Sequence, residues 1–176
     1  MSLPPDILYS RAAADDLPAV VELCMLVEAQ HEAYWPLRWQ RRPGLAEGYL
    51  RWLSHRVSEP RMLIQVAKDP ALPDHTVVGT ILATIEKEVP IYAYSEYAYV
   101  QDMAVLPSHR RRGIAQRLLA DAADWATSHG LNQLRIMVAQ QNHAARKLFQ
   151  NSGFRDTYQE MILPLNPPPT PGSSPQ

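Results

Sequence analysis

"HRRRGIAQRLL", residues 109–119, sets three arginines directly in front of a glycine at the head of an amphipathic helix. After the glycine, Ile114, Leu118, Ala122, Trp125 and Ala126 recur at helical spacing, the apolar stripe of a helix packed on one face. Arg110, Arg111 and Arg112 therefore stand at a helix N-terminus. The macrodipole is already positive there, so cations are unfavourable unless an anion joins them. A helix N-terminus also presents free N–H groups and binds phosphate readily. Gly113 lets a ligand approach the backbone closely, and Ala115 keeps the next inward position small. The stretch reads as a phosphate site, weighed against the plainer reading of a solvated basic turn. It is not a Walker loop, because GxxxxGK[ST] is absent, and its single glycine does not make a dinucleotide fingerprint.

Working outward, "EYAYVQDMAVLP" (96–107) predicts a long strand stopped by Pro107, and "LNQLRIMVA" (131–139) a strand after the break at Gly130. "NHAARKLFQNS" (142–152) predicts a helix with Asn142 as N-cap and Gly153 as terminator. Upstream, "ILYSRAA" (7–13) reads as a strand. "DDLPAVVELCMLVEAQ" (15–30) reads as a helix capped by Asp15 or Asp16 with Pro18 in its first turn. "LAEGYLRWLSHRV" (45–57) is a second helix. "RMLIQVAK" (61–68) and "TVVGTILATIEKE" (76–88) are strands joined by a turn-rich connection. "FRDTYQEMILPL" (154–165) supplies the final strand or strands. The order β-α-α-β-β-β-α-β-α-β predicts a mixed α/β domain, antiparallel in the middle with a βαβ unit later.

The chain has 176 residues, 46% hydrophobic and 20% charged, which fits one globular domain over residues 1–165. "NPPPTPGSSPQ" (166–176) is expected to be a disordered tail. The net charge of −1 argues against a nucleic-acid partner. No apolar run reaches about 18 residues, so no membrane span is expected. The N-terminus lacks the pattern of a signal peptide. Cys24, the single cysteine, lies in a helical pattern and reads as a buried structural thiol. These features point to a reducing cytoplasm, and no metal-ligand cluster is visible.

"RRRGIA" matches the [Q/R]-x-x-G-x-[G/A] signature of the GNAT superfamily of acyl-CoA-dependent N-acetyltransferases. It follows "YVQDMAVLPSH" (99–109), which resembles the family's central strand. "NHAARKLFQNSGF" (142–154) is similar to a later motif, and "ILYSRAAADDLPAVVEL" (7–23) to the first strand and helix. The resemblance covers roughly residues 6–165. It implies a mixed, mostly antiparallel sheet of six to seven strands flanked by about four helices. It also implies acetyl-CoA as co-substrate. The amides of Arg111, Arg112, Gly113, Ile114 and Ala115, with Arg110, would cradle the diphosphate. The backbone of Met103, Ala104 and Val105 would pair with pantetheine as an added strand. The Met103 N–H would polarise the thioester carbonyl, and Asn142 and Phe149 would lie beside the cofactor. The implied reaction is direct attack by a primary amine of a small molecule or peptide through a tetrahedral intermediate. A homodimer is expected by analogy with the fold.

The sequence departs from the family in two places. Phe149 stands where many members have a tyrosine that protonates the departing thiolate, and Gln101 where many have a glutamate. Tyr99 and Glu96 are the replacement candidates for acid and base, with Asp102 read as structural. Strict alternation puts Tyr97, Tyr99, Gln101 and Met103 on one face, with Glu96 and Asp102 on the other, unless a bulge intervenes. Those departures also leave open a protein that binds acyl-CoA with weak transfer or uses a different acyl group. The acceptor region, "HEAYWPLRWQRRPGLAEGYLRW" (31–52), mixes aromatics suited to an apolar or cationic amine with Arg38, Arg41 and Arg42, which favour an acidic one.

Overall fold

Met62–Lys68 is apolar almost throughout and buried on both faces, so this strand lies inside a sheet covered by helices on both sides. The computed structural model describes residues 7–165. Five strands, β1 (Leu8–Arg11), β2 (Met62–Lys68), β3 (Val77–Lys87), β4 (Glu96–Val105) and β5 (Leu134–Ile136), lie in that order across the sheet. The first three pairings are antiparallel and β4–β5 is parallel. The helices are α1 (Leu17–Tyr34), the single turn α2 (Pro36–Trp39), α3 (Leu45–Arg56), α4 (Ile114–Ser128) and α5 (His143–Asn151).

Two cores flank the sheet. Val20, Cys24 and Leu53 of α1 and α3 pack on Ile64, Val66 and Leu82. Ile114, Leu118, Ala122 and Phe149 of α4 and α5 pack on Leu63, Ile81 and Val100 on the other face. The predicted stripe of α4 is thus a buried stripe. Gly79 makes its close approach possible, since a Cβ there would sit 3.0 Å from Ile114 Cγ2. Asp16 precedes α1 as predicted, but its carboxylate accepts from the Ala13 N–H (2.9 Å) and pairs with Lys68 (2.7 Å) instead of capping the helix.

The mixed α/β class holds, with two corrections. The sheet has five strands among the described residues, not six to seven. Residues 154–165 form no strand: Phe154 packs on Phe149, but Tyr158, Met161, Leu163 and Leu165 are 83%, 86%, 79% and 81% exposed. Strand propensity becomes a strand only where a neighbouring edge completes the ladder, and here none does. The proline-rich stretch 166–176, read as a tail, lies outside the described residues.

Candidate active site

β4 is bonded to β5 only from Ala98 to Val100, through pairs with Leu134, Arg135 and Ile136. β5 then ends while β4 runs on to Val105, so the two strands part and the edge of β4 from Gln101 onward is open. Leu106 N–H donates to the Val78 carbonyl at 2.9 Å. By the alternation of an antiparallel ladder, Ala104 and Asp102 also turn their backbones to β3, whereas Met103 and Val105 turn theirs to the open side. The Arg110 guanidinium confirms this direction, donating through Nε to the Val105 carbonyl at 3.2 Å.

The open edge leads into the arginine loop. Pro107–His109 make one 3-10 turn, and α4 begins at Ile114 with Gly113 before it. Gly113 (φ +79°) and Arg111 (φ +63°) are left-handed, which turns successive N–H groups toward one side, an arrangement that suits an anion. Among the described residues no backbone carbonyl accepts from the amides of Arg111, Arg112 or Gly113. The first-turn amides of Ile114 and Ala115 have no partner within the helix either. The three arginines divide their work. Arg112 lies 3.7 Å from Asp69, Arg110 holds the strand end, and Arg111 is exposed with no ion pair among the described residues. These contacts leave Arg111 and the Nη groups of Arg110 beside a row of amides with no backbone acceptor among the described residues.

The register slips between Leu82 and Ala83, which pair with Asp102 and Val100, so Gln101 is the extra residue of a β-bulge. The bulge overturns strict alternation. Tyr97, Tyr99, Asp102 and Ala104 share the face covered by α1 and α3. Met103 and Val105 share the α4 face with Val100. Glu96, opposite Lys87, is on that second face and is paired with Arg61 at 2.7 Å. Tyr99 and Glu96 therefore lie on opposite sides of the sheet. Gln101 donates to Thr84 Oγ1 (2.8 Å) and approaches Glu86 (3.4 Å).

Asp102 is more than a strand residue. Tyr49 of α3 donates its hydroxyl to Asp102, on the same face as Tyr99. Burial, opposed by the Tyr49 hydrogen bond and helped by the charge of Glu28 on α1, lifts the Asp102 carboxyl to about 7. Burial also pushes up the hydroxyls of Tyr49 and Tyr99, so both stay protonated. Tyr49 also lines a cleft with Arg42, Pro43, Gly44, Leu45, Gly48 and Trp52 at the start of α3. Sequence reasoning missed the Tyr49–Asp102 pair because 53 residues separate the partners and Tyr49 sits in an ordinary helix pattern.

The remaining candidates have visible local roles. Asn142 accepts from Ala145 N–H at 3.1 Å and caps α5. Phe149, 6% exposed, packs against Phe154. Cys24 is fully buried and burial raises its thiol, which leaves it unreactive. Of the acceptor-side arginines, Arg38 is paired with Glu160 (3.0 Å) and Arg41 with Glu32 (2.7 Å). No group of three or more potential metal ligands occurs among the described residues.

The model of the acetyltransferase (GNAT) family matches residues 22–154. The aminoglycoside N(6')-acetyltransferase type 1 of Salmonella typhimurium is 30% identical over 88 residues, covering 49% of this chain and 61% of that protein. The chain thus spans about three fifths of that relative's length. An aminoglycoside antibiotic 6'-N-acetyltransferase from Acinetobacter baumannii superposes with a TM-score of 0.69 at 19% identity, covering 93% of this chain and 100% of that one. A predicted acetyltransferase from Clostridium acetobutylicum, solved with acetyl-CoA, has a TM-score of 0.69 at 16% identity and covers 91% and 97%. At these identities the superpositions establish the fold.

Proposed function

The chain belongs to the acetyltransferase (GNAT) family, and on that premise we propose that it transfers an acetyl group from acetyl-CoA to a primary amine of a small molecule. One observation carries the reading. The open edge of β4 leads through one 3-10 turn into a loop of left-handed residues at the head of α4, whose amides have no backbone acceptor among the described residues. That surface fits a ligand with an amide-bearing arm and a diphosphate. The arm adds as a strand against Met103 and Val105, and the diphosphate meets the amides of Arg111–Ala115 with Arg110 and Arg111. Asn142 and Phe149 then flank the arm.

The residues divide the chemistry. The Met103 N–H, turned to the open side, stabilises the oxyanion as a neutral amine attacks the thioester carbonyl. The amine must lose a proton, and Asp102, ionised near neutral pH and bonded to Tyr49, accepts it directly or through water. Tyr99 keeps its proton and sits on the same face, so it serves as donor toward the departing thiolate in place of Phe149. Glu96, ion-paired on the other face, has no part in this scheme.

A cationic acceptor fits best. Arg38 and Arg41 are paired with Glu160 and Glu32, while the acidic side chains of Asp102, Glu28 and Glu86 lie on the α1 side. Amino sugars such as those modified by the aminoglycoside acetyltransferase relatives are the first class to screen. The test is calorimetric titration with acetyl-CoA, then CoA release with a panel of amines. Micromolar binding and aminoglycoside-dependent release are expected. Binding without release by any amine favours a second reading, an acyl-CoA-binding protein with weak transfer or another acyl group. The buried, hydroxyl-free Phe149 gives that reading its weight.

The exposed apolar run from Tyr158 to Leu165 supports a homodimer, since a second copy would cover surface that monomers rarely leave in water. Light scattering on Met161→Asp checks this, with the variant expected as a monomer. A single buried thiol suits a cytoplasmic setting. No helix among the described residues is long and apolar enough to cross a membrane.

A further inference from the structure

The arginine loop holds an unfavourable conformation at Arg111, a side-chain-bearing residue at φ +63°, so surrounding contacts must fix it. The strongest of these comes from outside the motif. Asp69, in the connection between β2 and β3, is one of the few buried polar or charged residues, and His109 is another. Asp69 Oδ2 lies 3.0 Å from His109 Nε2, and the Arg112 guanidinium lies 3.7 Å from the same oxygen. Asp69 Oδ1 accepts from the Ala71 N–H at 2.9 Å, and the Asp69 N–H donates to the Thr76 carbonyl at 3.0 Å. Ser108 Oγ is 2.9 Å from His109 Nδ1. Every group in this chain is satisfied when the Ser108 hydroxyl donates to Nδ1 and Nε2–H donates to Asp69. The Ala71 N–H, His109 and Arg112 together hold the Asp69 carboxyl below its ordinary range.

We propose that Asp69 and His109 are positioning residues for the diphosphate of the acyl donor. The buried pair fastens the loop to the β2–β3 turn in its anion-receiving conformation. It also engages Arg112 as a counter-charge, which leaves Arg111 and the Nη groups of Arg110 for the ligand. The inference rests on reading this loop as the acyl-CoA site. Neither residue touches the ligand, so donor affinity is set by a carboxylate 40 residues upstream of the histidine it holds. A buried, hydrogen-bonded charge is a stiffer anchor than an exposed pair, because losing one partner strands the other away from water.

The test uses the full chain and titration with acetyl-CoA, beside acetyl-pantetheine, which lacks the diphosphate. His109→Phe is expected to weaken acetyl-CoA about tenfold or more while acetyl-pantetheine changes by less than about twofold. His109→Gln, whose amide still donates to Asp69, is expected within about threefold of the parent. Asp69→Asn, which keeps the shape and loses the charge, should fall between them and covers the case in which His109→Phe does not fold. Equal loss for both ligands, or unchanged acetyl-CoA affinity in the folded variants, overturns the positioning role. If the parent binds no acetyl-CoA at all, the reading of the loop falls first and the positioning role with it.

Discussion

The two halves of the candidate site are built in opposite ways. The proposed donor half centres on one continuous stretch, Gln101–Ala115, and offers mainly backbone: an open strand edge, a row of amides and two left-handed residues. The acceptor half is gathered from α1, α2, α3, β3, β4 and the segment after α5, and works through side chains such as Glu28, Arg38, Tyr49, Tyr99, Asp102 and Glu160. Backbone sites demand particular residue types at fixed spacing, whereas side-chain sites can be assembled from ordinary residues far apart in sequence.

The hardest blow to the donor half alone is Gly113→Asp. Any side chain is strained at φ +79°, and a carboxylate there faces the anion the loop is built to receive. Acetyl-CoA affinity should drop by about a hundredfold or more, roughly 2.7 kcal/mol, in a calorimetric titration. An unchanged affinity would break the assignment of the loop.

Asp102→Asn strikes the acceptor half and should leave acetyl-CoA affinity near the parent value. The carboxyl accepts a proton only when ionised, so with its midpoint at about 7 the parent's rate should rise with pH through neutrality. The variant should lose about a hundredfold in rate and lose that limb of the profile. Stability should move the other way. The folded carboxyl titrates at about 7 against an ordinary 3.8, so its stabilising effect is complete below about 4 and lost as pH rises toward 7. At pH 8 the neutral variant should therefore melt higher than the parent. A variant that is slower at every pH by the same factor would make Asp102 structural.

Tyr99→Phe is a smaller perturbation of the same half. If the hydroxyl protonates the leaving thiolate, the turnover rate should fall about tenfold with little change in the Michaelis constant for acetyl-CoA. A rate unchanged with a good thiol leaving group would mean the thiolate departs without help.

Much of the donor half was legible in the sequence for a physical reason. A glycine before an apolar stripe of period 3.6 locates a helix start, and arginines there are unfavourable unless an anion joins them. The element order was legible too, up to α5. Residues 154–165 misled because alternation reports propensity and not the presence of a partner edge. The acceptor half was hidden twice. The bulge at Gln101 leaves no mark in the sequence, yet it moves Asp102 to the face of Tyr99. The family resemblance reads Asp102 as structural, and its hydrogen bond from Tyr49, on a distant helix, leaves no mark in the sequence. Arg38 and Arg41 favour an acidic acceptor by sequence alone, but in the fold they pair with Glu160 and Glu32.

The smallest expected effect tests that bulge most directly. Glu96 stands three positions before Tyr99 on the same strand and was an equal candidate for the chemistry. Its register opposite Lys87 puts it on the α4 face, where it pairs with Arg61. The pair is largely exposed, so breaking it should cost about 0–1 kcal/mol of stability. Glu96→Gln should then change turnover by less than about twofold with acetyl-CoA and any accepted amine, against about a hundredfold for Asp102→Asn. If the two variants instead lose rate equally, a common site for Glu96 and Asp102 would be required. No ladder with an extra residue at Gln101 allows that, so the register of β4, and with it the division of the site into halves, would have to be redrawn.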